Sequence, residues 1–200
     1  MRTTAALTLA LGISIAALAC GSPSGPSQSG NLRVTITDAP FTEATALHVT
    51  FSEVKVHRAD GEGGWITVPF AGTPAATTRT CNLKKLEGPS DILGVASLDA
   101  GHYTQLRLVV DAAAIYFGGA ATAEGACATA LAAPTGASSE AVQIPSGEVK
   151  LIHPFELMSA GATTVELDFD GNKSVHQTGN GRYMMSPVIR VSKVNTAGGS

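Results

Sequence analysis

Two aspartates one residue apart, Asp168 and Asp170, followed by Asn172, sit in the segment LDFDGNKSVHQTGNGRY from Leu167 to Tyr183. Oxygen side chains at that spacing are ligands a hard cation such as Ca2+ accepts, and D-x-D-x-N is how an EF-hand loop begins. The rest of the segment departs from that loop. Its sixth position needs Gly and holds Lys173, and its twelfth needs a bidentate acid and holds Gly179. A calcium site here would need another carboxylate, and Asp38, at the end of the first strand, is the candidate. Asp38, Asp168 and Asp170 are the expected ligands if a metal binds. The alternative is an ordinary polar strand face, with no cofactor at all.

Other chemistries find no local pattern. The histidines, His48, His57, His102, His153 and His176, make no H-x-H or H-E-x-x-H spacing, and there is no C-x-x-C, so a zinc site has no signature. His48 alternates with Val49 and is expected on the solvent side or hydrogen-bonded. There is no G-x-S-x-G elbow and no P-loop; GNGRYM misses the dinucleotide pattern and no helix signal follows it. A glycosidase needs two carboxylates across a cleft, and the sequence does not place Asp38 or Glu53 opposite Asp168. The expectation is a non-enzyme. A sugar-binding face would need solvent-facing aromatic rings, for which Trp65, Tyr103, Tyr116 and Tyr183 are the candidates.

The elements that position these residues read as strands. Leu32, Val34 and Ile36 alternate with Arg33, Thr35 and Thr37. Leu47, Val49 and Phe51 do the same, but the next apolar residues are Val54 and Val56, a step of three that predicts a β-bulge at Ser52-Glu53. DGEGG then turns the chain into WITVPF, giving a hairpin over residues 46–69. Further strands are expected over residues 79–86, at HYTQLRLVVDA, at AVQIPSGEVKLIHPFEL and at TTVELDFD, where Val165, Leu167 and Phe169 point inward. PSDILGVASLDAG is read as holding a helical turn, and residues 118–139, rich in Ala, Gly, Thr and Ser, as a long surface loop. Asn180-Gly181 predicts a type I′ turn in a closing hairpin over residues 175–191. Short, regularly spaced strands with turn signals predict an all-β, antiparallel β-sandwich of about seven to nine strands.

The N-terminus points to export. MRTTAALTLALGISIAALAC has one basic residue, Arg2, an apolar run from Ala5 to Ala19 and then Cys20. The run is shorter than the about 20 residues a comfortable membrane span needs, and has the form of a secretory signal. ALAC resembles the bacterial lipoprotein signal, in which the Cys after small residues is acylated; Ala17 stands where Leu is more usual. Each buried methylene of an acyl chain contributes about 0.8 kcal/mol. Gly21, not Asp, follows the Cys, which by the Gram-negative sorting rule points to the outer membrane. GSPSGPSQSG behaves as a tether. The expected division is a signal peptide at 1–19, lipidated Cys20 and tether at 20–30, one domain at 31–194 and a flexible tail at 195–200. With Cys20 lipidated, Cys81 and Cys127 remain as a pair that an exported protein can oxidise. The net charge of −3 and 14% charged residues build no basic surface for nucleic acid.

VTITDAP, VTFSEVKVH, GHYTQLRLVV, IPSGEVKLIHPF and LDFDGNKSVHQTGNGRYMMSPVIRV together resemble the domain-of-unknown-function family 4382. The resemblance spans most of residues 31–193 and implies an exported bacterial or archaeal, mainly β domain, frequently a lipoprotein; the expected sandwich is of Greek-key or transthyretin-like arrangement. It implies no mechanism. The expected role is a lipid-anchored extracytoplasmic module for binding, adhesion or envelope structure. The alternative is a carbohydrate- or small-ligand-binding domain, with or without calcium. Its partners would be the membrane and an unidentified protein or glycan.

Overall fold

The computed structural model describes residues 28–39, 44–59, 64–72 and 76–198. The signal segment, Cys20 and residues 21–27 lie outside them. Among the described residues the strands are β1 (Ser29–Asp38), β2 (Ala46–Arg58), β3 (Trp65–Thr67), β4 (Arg79–Asn82), β5 (Asp91–Asp99), β6 (Gly101–Phe117) and β7 (Cys127–Ala128). They continue as β8 (Ser138–Gln143), β9 (Glu148–Leu157), β10 (Ala162–Phe169), β11 (Val175–Gln177), β12 (Tyr183–Met185) and β13 (Ile189–Ala197). A 3-10 turn covers Leu83–Lys85, and one short helix, α1, covers Gly171–Ser174. No described helix is long and apolar enough to cross a membrane.

The strands form two sheets around one core, the sandwich the alternation predicts. The smaller sheet runs β13-β10-β1-β5. The larger runs β11-β12-β8-β6-β2-β4-β7, with β3 added to β2 and β9 to β6. Pairing is antiparallel except for β1 with β10 and the short contact of β12 with β8. Leu32, Val34, Ile36, Val165, Leu167 and Phe169 line the inner face of the smaller sheet. Leu47, Val49 and Phe51, then Val54 and Val56, meet them from the other. The register of β2 against β6 shifts between Phe51 and Glu53, so the bulge falls where the step of three predicts it. Phe51 meets Phe169 edge-on at 6.5 Å between ring centroids, closing the two sheets on each other. Each such burial contributes about 1.5–3 kcal/mol.

Long β2 and β6 form the spine of the larger sheet, and each edge is shared by two shorter strands. β8 pairs with Ala113–Phe117 of β6, and β9 takes over at Val109 and runs to Gly101. At the changeover the Val110 amide donates to the Gly147 carbonyl at 2.9 Å. A Cβ on Gly147 would lie 1.9 Å from the Val110 oxygen, so only Gly lets the chain pass this close. β4 and β3 divide the far edge of β2 in the same way.

Several expectations are corrected. Residues 91–99 form a strand, not a helical turn, because β1 offers a free edge and Leu93 and Leu98 enter the core. β4 stops at Asn82, whose Oδ1 accepts from the Lys84 amide at 3.2 Å and turns the chain into the 3-10 segment. The closing hairpin ends at Met185, and β13 crosses to the smaller sheet to pair with β10. Its turn is not type I′: Gly181 has φ 80° but Asn180 does not join it at positive φ. Instead Asn180 Oδ1 accepts from the Arg182 amide at 3.3 Å, and the Gly181 amide donates to the Thr178 carbonyl at 2.9 Å. Ser29 pairs with Asp99 and Ala197 with Ala162, so the ladders take in residues placed by sequence in the tether and the tail.

Candidate functional site

The three aspartates come to one end of the smaller sheet but go to different partners. Asp38 ends β1 beside inward-facing Phe169, so it points into the sandwich, and it is 4% exposed. One oxygen, Oδ1, accepts from the Gly171 amide at 3.1 Å. The other, Oδ2, is buried without a partner. Burial pushes this carboxyl up to about 7; the Gly171 hydrogen bond opposes the rise, and Glu87, Asp168 and Asp170 add to it. Asp168 faces outward and receives Arg190, Nε at 2.8 Å and Nη2 at 2.6 Å. Asp170 is the N-cap of α1, accepting from the Lys173 amide at 3.0 Å and from its Nζ at 2.7 Å. Hydrogen bonding to the Lys173 side chain holds the Asp170 carboxyl below its ordinary range. The lysine that breaks the EF-hand pattern is therefore the aspartate's own counter-ion. Among the described residues no group of three or more His, Cys, Asp or Glu is arranged to hold a metal ion. Glu53, on the outer face of the larger sheet, pairs with Lys55 at 2.7 Å.

The four candidate aromatics do not form one platform. Tyr103 is in the core, stacked on Phe155 at 5.2 Å, with its hydroxyl donating to the Asp99 carbonyl at 2.8 Å. Trp65 carries the Arg107 guanidinium over its ring at 4.2 Å and the edge of His57 at 5.3 Å. Tyr183 packs against Phe117 at 5.6 Å. Tyr116 lies against His48, with ring centroids 4.7 Å apart.

That last pair belongs to a cleft the motif search did not find. On the outer face of the larger sheet, His48 and Thr50 of β2 stand between Thr80 of β4 and Ala112, Ala114 and Tyr116 of β6. The alanines put only methyl groups where a strand usually carries large side chains. A trough of about 240 Å³ results, and Ala130 and Leu131 reach over it. The Thr50 and Thr80 hydroxyls are 2.9 Å apart. His48 stands on that outer face, where alternation puts it, and is 6% exposed. Burial lowers its pKa; Glu124 opposes this and Lys85 adds to it, so the imidazole is neutral at neutral pH.

The segment over the trough is firmly held. Cys81 and Cys127 are bonded, S–S 2.07 Å, and they face each other across β4 and β7. Lys85 Nζ donates to the carbonyls of Thr122 and Glu124 at 2.6 and 2.5 Å. Asp91 accepts from the Cys127 amide at 2.9 Å, and buried Arg79 donates to the Ala71 carbonyl at 2.8 Å while its charge faces Asp91 at 3.6 Å. The signal that could have revealed the cleft was the run Ala112-Ala113-Ala114 inside an otherwise strong strand.

The family described as Domain of unknown function (DUF4382) matches residues 29–187. This chain belongs to the DUF4382 family. The matched span takes in Asp38, all the cleft residues and both disulfide cysteines, and it stops before β13. No curated protein and no solved structure matches the chain.

Proposed function

We propose that this DUF4382 protein is a lipid-anchored module of the bacterial cell envelope, with a non-enzymatic role in binding, adhesion or envelope structure. The observation that carries the reading is the Cys81–Cys127 bond. It accounts for two of the three cysteines and leaves Cys20, at the end of the apolar run, as the odd one. A disulfide belongs with an oxidising compartment, and an unpaired Cys after small residues belongs with acylation. Stable anchoring takes two membrane signals, which a doubly acylated N-terminus supplies. The tether then holds the sandwich off the outer membrane.

The test is fractionation of cells expressing the full chain or its Cys20→Ser variant. The wild type is expected in the membrane fraction and in the detergent-rich phase after phase separation, and the variant in neither. Identical distributions would remove the anchor.

A second reading, a domain for a carbohydrate or other small ligand, is favoured by the cleft beside His48. Its calcium-assisted form would draw on Asp168 and Asp170, which already have cationic protein partners. The metal-free form is taken further.

A further inference from the structure

We infer that the trough between His48, Thr50, Thr80 and Tyr116 is a binding site for one uncharged sugar ring. The inference deepens the second reading and does not depend on the anchor.

No Lys, Arg, Asp or Glu lines the trough, so a charged ligand would find no counter-ion there. Its volume of about 240 Å³ lies below the about 300–1,000 Å³ of sites for drug-sized molecules, which suits a single ring. Its floor and cover are apolar: Ala112, Ala114, Leu131 and the Tyr116 ring. Its polar groups are uncharged and few: the paired Thr hydroxyls and the imidazole of His48.

A pyranose has that combination, a flat C–H face and a belt of hydroxyls. The C–H face would lie on the alanines and the tyrosine ring. Each threonine hydroxyl donates one hydrogen bond and accepts others, and a neutral imidazole offers one donor and one acceptor. A ligand hydroxyl would pair with the His48 ring, which lines the trough beside the two threonines. The site is also built before binding. Its cover follows directly on the disulfide and on the carbonyls held by Lys85, so little ordering is left for the ligand to bring about.

The probes are the methyl pyranosides of glucose, galactose, mannose and N-acetylglucosamine, with the full chain in detergent micelles. Each is used at about 10 mM, because a site with so few contacts binds on the order of 1 mM. Saturation-transfer NMR reads the contact. At least one pyranoside is expected to receive saturation and to shift the His48 ring signals. Two variants are compared. Ala114→Leu fills the trough from an outward position and is expected to abolish the transfer. Thr80→Val keeps shape and strand preference but removes a hydroxyl, and is expected to weaken binding at least fivefold. The thermal transition of each variant shows whether it is folded. No transfer to the folded wild type from any of the four probes overturns the inference. So does transfer that survives Ala114→Leu. Either failure leaves the anchor reading intact, because that is read at Cys20.

Discussion

Asp38 is a carboxyl that the fold keeps out of water while giving it one hydrogen bond. Its folded pKa of about 7 stands above the ordinary 3.8, and this fixes the sign of its effect on stability. The folded protein holds this proton up to about pH 7, while the unfolded chain releases it near pH 3.8. Asp38's contribution is therefore fully present below pH 3.8 and is lost as pH rises from there to about 7. The charged groups around it are Glu87, Asp168 and Asp170, and all three raise its pKa. Asp38→Asn keeps an oxygen for the Gly171 amide and carries no charge. It is expected to raise Tm at pH 8 and to leave it nearly unchanged at pH 4, as scanning calorimetry at the two pH values would show. A Tm that falls equally at both would mean that Asp38 is ionised and compensated. The sequence offered Asp38, Asp168 and Asp170 as ligands on the condition that they converge, and left that convergence open. It did not show that Asp168 would take Arg190 or that Asp170 would cap a helix. Those partners come from β13 and from the turn after β10, and spacing along one strand carries no information about them. Alternation did place His48 on the outer face, but it carried no information that Ala130 and Leu131, from the segment after β7, would line the same trough.

At the scale of elements, the apolar alternation of β1, β2 and β10 was enough to place their inward faces, because a period of two has one solution when one face is buried. β5 was missed since DILGVASLD has little alternation; it is a strand because the edge of β1 needs hydrogen-bond partners. The shared edge of β6 was equally hidden, although it leaves a glycine as its mark. Gly147→Ala is expected to destabilise the sandwich by about 1–3 kcal/mol, as overpacking against a fixed neighbour does. Urea unfolding of the variant measures this, and an unchanged midpoint would show that β8 and β9 do not meet β6 as described. The disulfide spans 46 residues of sequence, which include β5 and β6. In the chain-entropy model it stabilises by about 4 kcal/mol. The double variant Cys81→Ala, Cys127→Ala is expected to lose stability of that order in the same titration. A loss near zero would contradict the loop-closure account.

The whole molecule joins three parts of different physical character: an apolar leader ending at a cysteine, a stretch of Gly, Ser and Pro, and a β-sandwich. The reading of the first two parts rests on composition and order alone, because each answers to its own rule of burial or solvation. The site was far less legible. It is an absence of side-chain volume at Ala112 and Ala114, framed by residues from three strands and covered by a distant loop. If the plan is right, the chain made in its own cell envelope begins at Cys20 and carries lipid there. Intact-mass analysis of the membrane-extracted protein tests this most directly. The account expects a mass equal to residues 20–200 plus acyl chains on Cys20, with the Cys81–Cys127 bond intact. An unmodified Cys20, or a mature chain that starts elsewhere, would contradict it.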